Sequence, residues 1–487
     1  MSGRSDSRVG VNPLFLALDQ GGHASRAIVF DGRARVVAEA FAPLATQRDA
    51  QGHVEHDPDE LIASLRQAIA GACAHGWSPD DRIVAAGLAT QRSSIVCWNR
   101  RTGAALSPVI SWQDRRNAEW LRRLAPQGAA IRAATGLVLT PHYGASKMRW
   151  CLDHLPAVQE ALAAGELVMG PLASYILCRL LDEHPIVADP ANASRTQLWD
   201  PSTQDWSPLL AALFDIGVPT LPRCVTSRHD YGTLSTPAGP VPLTVTTGDQ
   251  SAVPFAFGPL DPATAYVNVG TGAFVQRAIR DRLPDAPRML ASVVWSDATG
   301  VDYTLEGTVN GAGSALDWFA EREGVEVAPL LADLDRSAGT GLRPPLFLNG
   351  ISGLGAPFWA SAFESRFVGS GTVAERCLAV LESIVFLIDN NLDELRPHGP
   401  AFRRIVLTGG LAANDHFCRC LASLARLPVF RSREREATAK GLAYLVAGQP
   451  ADWPVAAEGE TFPPEADPAL AARFDAWLAA MRAALPG

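Results

Sequence analysis

The chain has 487 residues, a formal charge of −9, and hydrophobic and aromatic contents of 47% and 7%; it is too long for one core and predicts two globular domains. Its acidic balance supplies no basic field to hold nucleic acid or an anionic membrane. Eight cysteines without a C-x-x-C spacing read as reduced thiols of a cytoplasmic protein, and a metal site built from His416, Cys418 and Cys420 is not expected.

Residues 1–13 contain Ser, Arg and Asp but no apolar stretch, so no signal peptide is expected. Residues 14–18 form a short apolar run ending in Asp19-Gln20-Gly21-Gly22. Residues 27–30 and 36–41 flank an Asp31-Gly32 turn, so three antiparallel strands are predicted to open the chain. Asp57 and Pro58 then read as the cap and first turn of a helix whose apolar positions Leu61, Ile62, Leu65, Ala68, Ile69 and Ala72 recur at helical spacing. Strands over 83–88 and 95–98 and a helix from Asn117 follow.

Near the middle, the β-branched run 241–245 predicts a strand leading into Thr246-Thr247-Gly248-Asp249-Gln250-Ser251. Open α/β sheets place their ligands at such strand ends, which makes Asp249 the first candidate for a catalytic base. The same grammar then repeats. Strands over 266–269 and 273–278 enclose Gly270-Thr271-Gly272, a third covers 303–306, and Gly311-Ala312-Gly313 opens a helix. The uncharged run 344–363 holds three glycines and three prolines and reads as loop rather than as a membrane span. A long helix is predicted over 373–395, and a strand over 405–407 leads into Thr408-Gly409-Gly410 and a further helix. The two halves are thus expected to be structural duplicates, 1–253 and 254–487.

No G-x-x-x-x-G-K-[ST] and no Rossmann fingerprint occurs. What remains is a set of glycine turns at strand ends (21–22, 270–272, 409–410) with Gly313 at a helix start. Glycine lets backbone approach a phosphate closely, and helix N-termini offer amides to it. With Asp19 and Asp249 at strand tips, the set suggests phosphoryl transfer.

In order along nearly the whole chain stand Ala17-Leu18-Asp19-Gln20-Gly21, the block 52–58, Thr90-Gln91-Arg92, Ser111-Trp112-Gln113, the block 146–150, and the block 192–196. They continue with Gly248-Asp249-Gln250, Gly270-Thr271-Gly272, the block 353–359, the block 381–384, Gly409-Gly410 with Asn414, and Glu436-Ala437-Thr438. In this the sequence resembles the FGGY carbohydrate kinases, and among them the glycerol kinases. The resemblance implies an α/β protein of two ribonuclease H-like domains of the actin and hexokinase type. Their interdomain cleft would hold ATP and Mg²⁺, with an N-terminal domain for substrate and a C-terminal domain for nucleotide.

By the same resemblance, Asp249 takes the proton of a primary hydroxyl of a small polyol or sugar, and Asp19 helps Asp249 hold Mg²⁺ through water. Arg92, Ser93, Trp112, His142, Asp249, Gln250 and Phe274 line the substrate pocket. Gly21, Gly22, His23, Arg26, Thr271, Gly272, Gly313, Asp317, Gly410 and Asn414 face the nucleotide. Family members form dimers and tetramers, which allows a homodimer or homotetramer here.

The sequence departs from the glycerol kinase pattern at several of these positions. Gly22, His23 and Ala24 stand where glycerol kinases carry Thr-Thr-Ser, so three phosphate-facing hydroxyls are missing. Ser93 stands in place of a glutamate that binds substrate hydroxyls, His142 in place of a tyrosine, and Asp317 in place of a neutral polar residue. These changes argue against assuming glycerol, because a hydroxyl-recognising site that loses a partner discriminates against its old ligand. The altered loop also motivates a second reading, a non-catalytic sugar- or nucleotide-binding relative of the same fold. A third, an actin-type ATPase, has no use for the polyol pocket that Arg92 and Trp112 imply.

Overall fold

A computed structural model describes residues 12–74, 78, 80–280, 283–337 and 341–485. The chain divides into two compact units, one of Met1–Leu260 with Ser292–Asp302 and Glu436–Ala456, the other of Asp261–Ala291, Tyr303–Arg435 and Ala457–Gly487. Among the described residues no helix is long and apolar enough to cross a membrane.

In the first unit, strands β1 (Asn12–Gln20), β2 (Ala24–Asp31) and β3 (Val36–Pro43) form the antiparallel meander that the Asp31-Gly32 turn predicts. With β4 (Asp81–Thr90), β5 (Arg228–Thr236) and β6 (Gly239–Gly248) they build a six-stranded sheet of order β5-β6-β4-β1-β2-β3. Strands β1, β4 and β6 are parallel to one another. Helix Pro58–Cys73 starts where expected, and the Asp57 carboxylate accepts the amides of Asp59 and Glu60. Its apolar stripe, Leu61 to Ala72, packs with Leu14, Leu16, Leu18, Val29 and Leu88 into one buried core. Burying each such side chain is worth about 1.5–3 kcal/mol, and this apolar layer fixes the strands whose tips carry the polar residues.

A second sheet repeats the plan. Strands β7 (Thr264–Val269), β8 (Ala273–Arg280), β9 (Leu290–Asp297), β10 (Gly300–Val309), β11 (Arg404–Thr408), β12 (Val429–Ser432) and β13 (Gly459–Phe462) give the order β9-β10-β8-β7-β11-β12-β13. As in the first unit, the leading strand has an antiparallel partner on one side (β8) and a parallel one on the other (β11). The long helix spans Val373–Leu395, and Thr372 with Glu375 closes a reciprocal capping box at its start.

The structure differs from the sequence reading in strands and in one helix. Strands β9, β12 and β13 are not predicted by the sequence, although Leu290–Asp297 is largely apolar and ends before a turn. The helix expected from Asn117 covers only Ala118–Leu121 and tightens into a 3₁₀ segment, Arg122–Gln127, that contains Pro126. Proline there lacks the amide and clashes with the preceding turn, so an α-helix does not continue.

Candidate active site

Because β1, β4 and β6 are parallel, their C-terminal ends lie at one edge of the first unit's sheet, with Gln20 and Gly248 both opposite Thr90. That edge carries the candidate chemistry. Asp19 sits near the end of β1 with only 5% of its surface exposed. Asp249 directly follows β6, heads the short helix Asp249–Ala252, and accepts the Gln250 amide on Oδ1 at 2.7 Å.

Burial, and next the negative charge of Asp249, push the Asp19 carboxyl up to about 7; Arg26 pulls it down and Glu436 adds to the rise. Arg26 Nη1 lies 3.3 Å from Asp19 Oδ2, and its Nε lies 3.9 Å from Glu436 Oε2. Two carboxylates that repel each other at a strand edge are a donor set for a hydrated divalent cation, which relieves that repulsion on binding.

The strand tips are tied together by a residue that the sequence placed in a block without giving it a role. Asn192 accepts the Thr90 hydroxyl on Oδ1 at 3.2 Å and donates from Nδ2 to the Thr247 carbonyl (3.2 Å) and to Asp189 Oδ1 (3.0 Å). Gly248 is required by its neighbour, since a Cβ there would lie 2.5 Å from Cγ and Cδ of Arg92. Glu436 arrives from far along the chain, immediately before helix Ala437–Val446, where Gly441 lets the backbone close onto the carbonyl of Ala252. A Cβ at Gly441 would stand 2.0 Å from that oxygen, so this glycine seats the segment carrying Asp249.

Arg92 and Ser93 follow β4. Ser93 has a φ of 65° and a buried hydroxyl with no hydrogen-bond partner among the described residues. Its carbonyl accepts from the fully buried Lys147 Nζ at 3.0 Å, and the same ammonium donates to the His142 carbonyl at 2.7 Å. One buried lysine thus holds the backbone at both Ser93 and His142. The His142 ring meets the exposed Trp112 edge to face at 5.8 Å. Replacing Lys147 with Met, of similar length, orphans two carbonyls. We expect the midpoint of chemical denaturation to fall by the equivalent of about 2–4 kcal/mol, with a raised acceptor KM in the folded fraction. An unchanged midpoint would show that Lys147 clamps nothing.

In the β1–β2 turn, Gly21 donates its amide to the Ala24 carbonyl at 3.0 Å. The Gly22 carbonyl accepts the Thr46 hydroxyl at 3.0 Å. Gly21 is therefore committed within the hairpin, which leaves Gly22, where a Cβ would meet nothing within 4 Å, as the open position of the pair. His23 is exposed.

In the second unit, Gly270-Thr271-Gly272 closes the β7–β8 hairpin, and both Gly270 and Thr271 are exposed. The amides of Gly313 and Ser314, at the start of helix Gly313–Glu323, donate to the carbonyls of Gly270 (2.9 Å) and Thr271 (3.0 Å). A Cβ on Gly313 would lie 2.7 Å from the Gly270 carbonyl oxygen. Gly409 packs against Val269, and Asn268 Nδ2 donates to Thr408 Oγ1 at 3.0 Å, so the 270–272 and 409–410 turns share one edge. Gly410 is open, with nothing within 4 Å of a Cβ.

Asn414 is placed differently from a nucleotide-facing side chain: its Oδ1 caps helix Asp415–Ala425 through the Phe417 amide (2.8 Å), and its Nδ2 donates to the Leu331 carbonyl (3.2 Å). Phe274 is half-buried on β8, and Asp317 is exposed on its helix. Asp19, Arg26, Arg92 and Asp249 are thus brought together in the first unit, and Thr271, Gly272, Gly313 and Gly410 in the second. No role for Asn192 or Glu436 is legible in the sequence; the only signal for each is its place in the family-like blocks 192–196 and 436–438.

Comparison with known proteins identifies the family. Residues 14–267 match the N-terminal domain of the FGGY family of carbohydrate kinases, and residues 265–448 match its C-terminal domain. The glycerol kinase of Rhodospirillum centenum is 34% identical over 455 residues, covering 90% of this chain and 89% of that protein. The glycerol kinase of Alkalilimnicola ehrlichii is also 34% identical, over 446 residues and 89% of each chain. Among solved structures, Plasmodium falciparum glycerol kinase with ADP shares the fold at a TM-score of 0.87 and 21% identity, over 98% of this chain and 99% of that one. The xylulose kinase of Rhodospirillum rubrum does so at 0.85 and 23%, over 96% and 98%. The fold is therefore the two-domain one the sequence implied, and the chain belongs to the FGGY family of carbohydrate kinases.

Proposed function

We propose that this kinase transfers the γ-phosphoryl group of ATP to a hydroxyl of a small polyol or sugar, with Asp249 as the base. The observation that carries the reading is the placement of Asp249 at the end of a central parallel strand, its charge felt by the buried Asp19 and its neighbour Gly248 packed under Arg92. As the acceptor oxygen attacks the γ-phosphorus, its proton passes to the Asp249 carboxylate. The bond from that phosphorus to the β–γ bridging oxygen breaks, and ADP leaves. Most of the rate comes from orienting the hydroxyl and stabilising charge, which suits a carboxylate held rigidly by a strand tip.

Arg92 and Gln250 donate to acceptor hydroxyls, with Ser93 and His142 beside them, and Trp112 and Phe274 cover its carbon chain. Thr271 and Gly272 meet phosphates, Gly410 leaves backbone open to the nucleotide, and Gly313 seats the 270–272 turn beside it; Gly22, His23 and Arg26 complete the phosphate side. Asp19 and Asp249 hold Mg²⁺, which when bound neutralises charge on the phosphates. The eight cysteines, all free thiols, support a reducing, cytoplasmic setting.

The test is ADP release from Mg-ATP against a panel of polyols, ketoses and aldoses, glycerol included. Acceptor-dependent release supports the reading. ATP hydrolysis that ignores every acceptor would overturn it.

A further inference from the structure

A polar chain inside the first unit joins two parts of the site that the proposed function treats separately. Gln20 ends β1, Gln91 follows β4, and Ser94 lies just beyond; all three side chains are buried. The Trp112 amide donates to Ser94 Oγ at 3.0 Å, and the Ser94 hydroxyl donates to Gln91 Oε1 at 3.1 Å. Gln91 Nε2 donates to Gln20 Oε1 at 3.3 Å, and Gln20 Nε2 donates to the Gly21 carbonyl at 2.7 Å. The backbone runs alongside, with the Gln91 amide donating to the Gln20 carbonyl at 2.9 Å.

The two ends fix the direction of this chain. The backbone amide of Trp112 only donates and the backbone carbonyl of Gly21 only accepts, so every link between them runs head to tail. Turning either glutamine amide over would set like atoms against each other between Gln20 and Gln91. A buried, satisfied chain of this kind polarises along its length, so a change at one end alters the bonds beyond it. What the ends belong to gives the chain its use. The Gly21 carbonyl shares one planar peptide with the Gly22 amide, and Gly22 stands on the phosphate side in the proposed function. Trp112, at the other end, covers the acceptor's carbon chain in that function.

We propose that Gln20, Gln91 and Ser94 are positioning residues that act as one directed hydrogen-bond relay between the phosphate-side turn and the Trp112 loop, so that each side senses the state of the other. The roles of the two ends rest on the proposed function; the relay itself is a property of the first unit and is testable without turnover.

Hydrogen–deuterium exchange of the intact, ligand-free protein reads the relay from its far end. Ser94→Ala removes one oxygen and adds nothing, so packing is kept while the chain is cut. We expect exchange to rise about threefold or more in peptides covering 19–24 as well as 111–116, and Ser94→Thr, which keeps the hydroxyl, to restore both. The same cut should weaken calorimetric binding of Mg-AMP-PNP about fivefold or more, although Ser94 lies on the acceptor side. Gln91→Met should reproduce these changes, and the double variant should add little, because a chain already cut is not cut again. Faster exchange confined to 94 and 111–116, additive effects of the two substitutions, or an unchanged Mg-AMP-PNP affinity overturns the relay. Transmitted exchange in a protein without acceptor-dependent ADP release keeps the relay and removes the kinase reading. Acceptor-dependent release without transmitted exchange does the reverse.

Discussion

Asp249→Asn should lower kcat by about 10²–10⁴-fold, the range a positioned general base supplies, while the protein stays folded and still binds its acceptor. The amide keeps the shape of the carboxylate and its oxygen still accepts the Gln250 amide, so the strand tip and its helix are undisturbed. What is lost is the capacity to take a proton as the phosphorus–oxygen bond forms. The checks are ADP release at saturating acceptor and calorimetry of acceptor binding on the same preparation. A mutant retaining most of its kcat would mean that the base lies elsewhere or that proton removal does not limit the rate.

Asp19→Asn should do two opposite things. In the free protein the carboxyl has its pKa raised from 3.8 to about 7 by burial and by Asp249. Between those values the unfolded chain has released the proton and the folded one retains it, so stability falls as pH rises from about 4 to 7. Above 7 the full cost is present, on the order of 4 kcal/mol by linkage. Removing the charge removes that cost. The variant is expected to melt higher than the parent at pH 8 without ligands, with the difference vanishing near pH 4. Turnover with Mg-ATP should nevertheless fall about 10–100-fold, the usual cost of losing an outer-sphere metal partner. Thermal melts at both pH values check the first half and ADP release the second. Equal melting at pH 8 would show that Asp19 is not a strained buried acid.

The sequence revealed the framework because the framework is written in local signals. The Asp57 cap, the helix Val373–Leu395 and the Asp31-Gly32 hairpin each depend on neighbours a few positions apart, and each lies where the pattern put it. The glycine turns were legible for the same reason. The contacts that tune the site were not. Glu436 meets Arg26 from the other end of the chain, through a helix seated by Gly441. Lys147 acts on the carbonyls of Ser93 and His142, and a backbone oxygen leaves no signature in the residues that own it. Asn414 and Gly21 show the converse. Both sit in family blocks, yet the Asn414 side chain caps a helix and the Gly21 amide closes a hairpin, so residue type alone did not say which groups remain open to a ligand.

The most direct measurement is ³¹P NMR of the protein with Mg-ATP and the best acceptor of the panel. The account predicts one new phosphomonoester resonance that grows in step with ADP and is absent with Asp249→Asn. Inorganic phosphate as the only new phosphorus species would contradict it, because water rather than a substrate hydroxyl would then be the nucleophile.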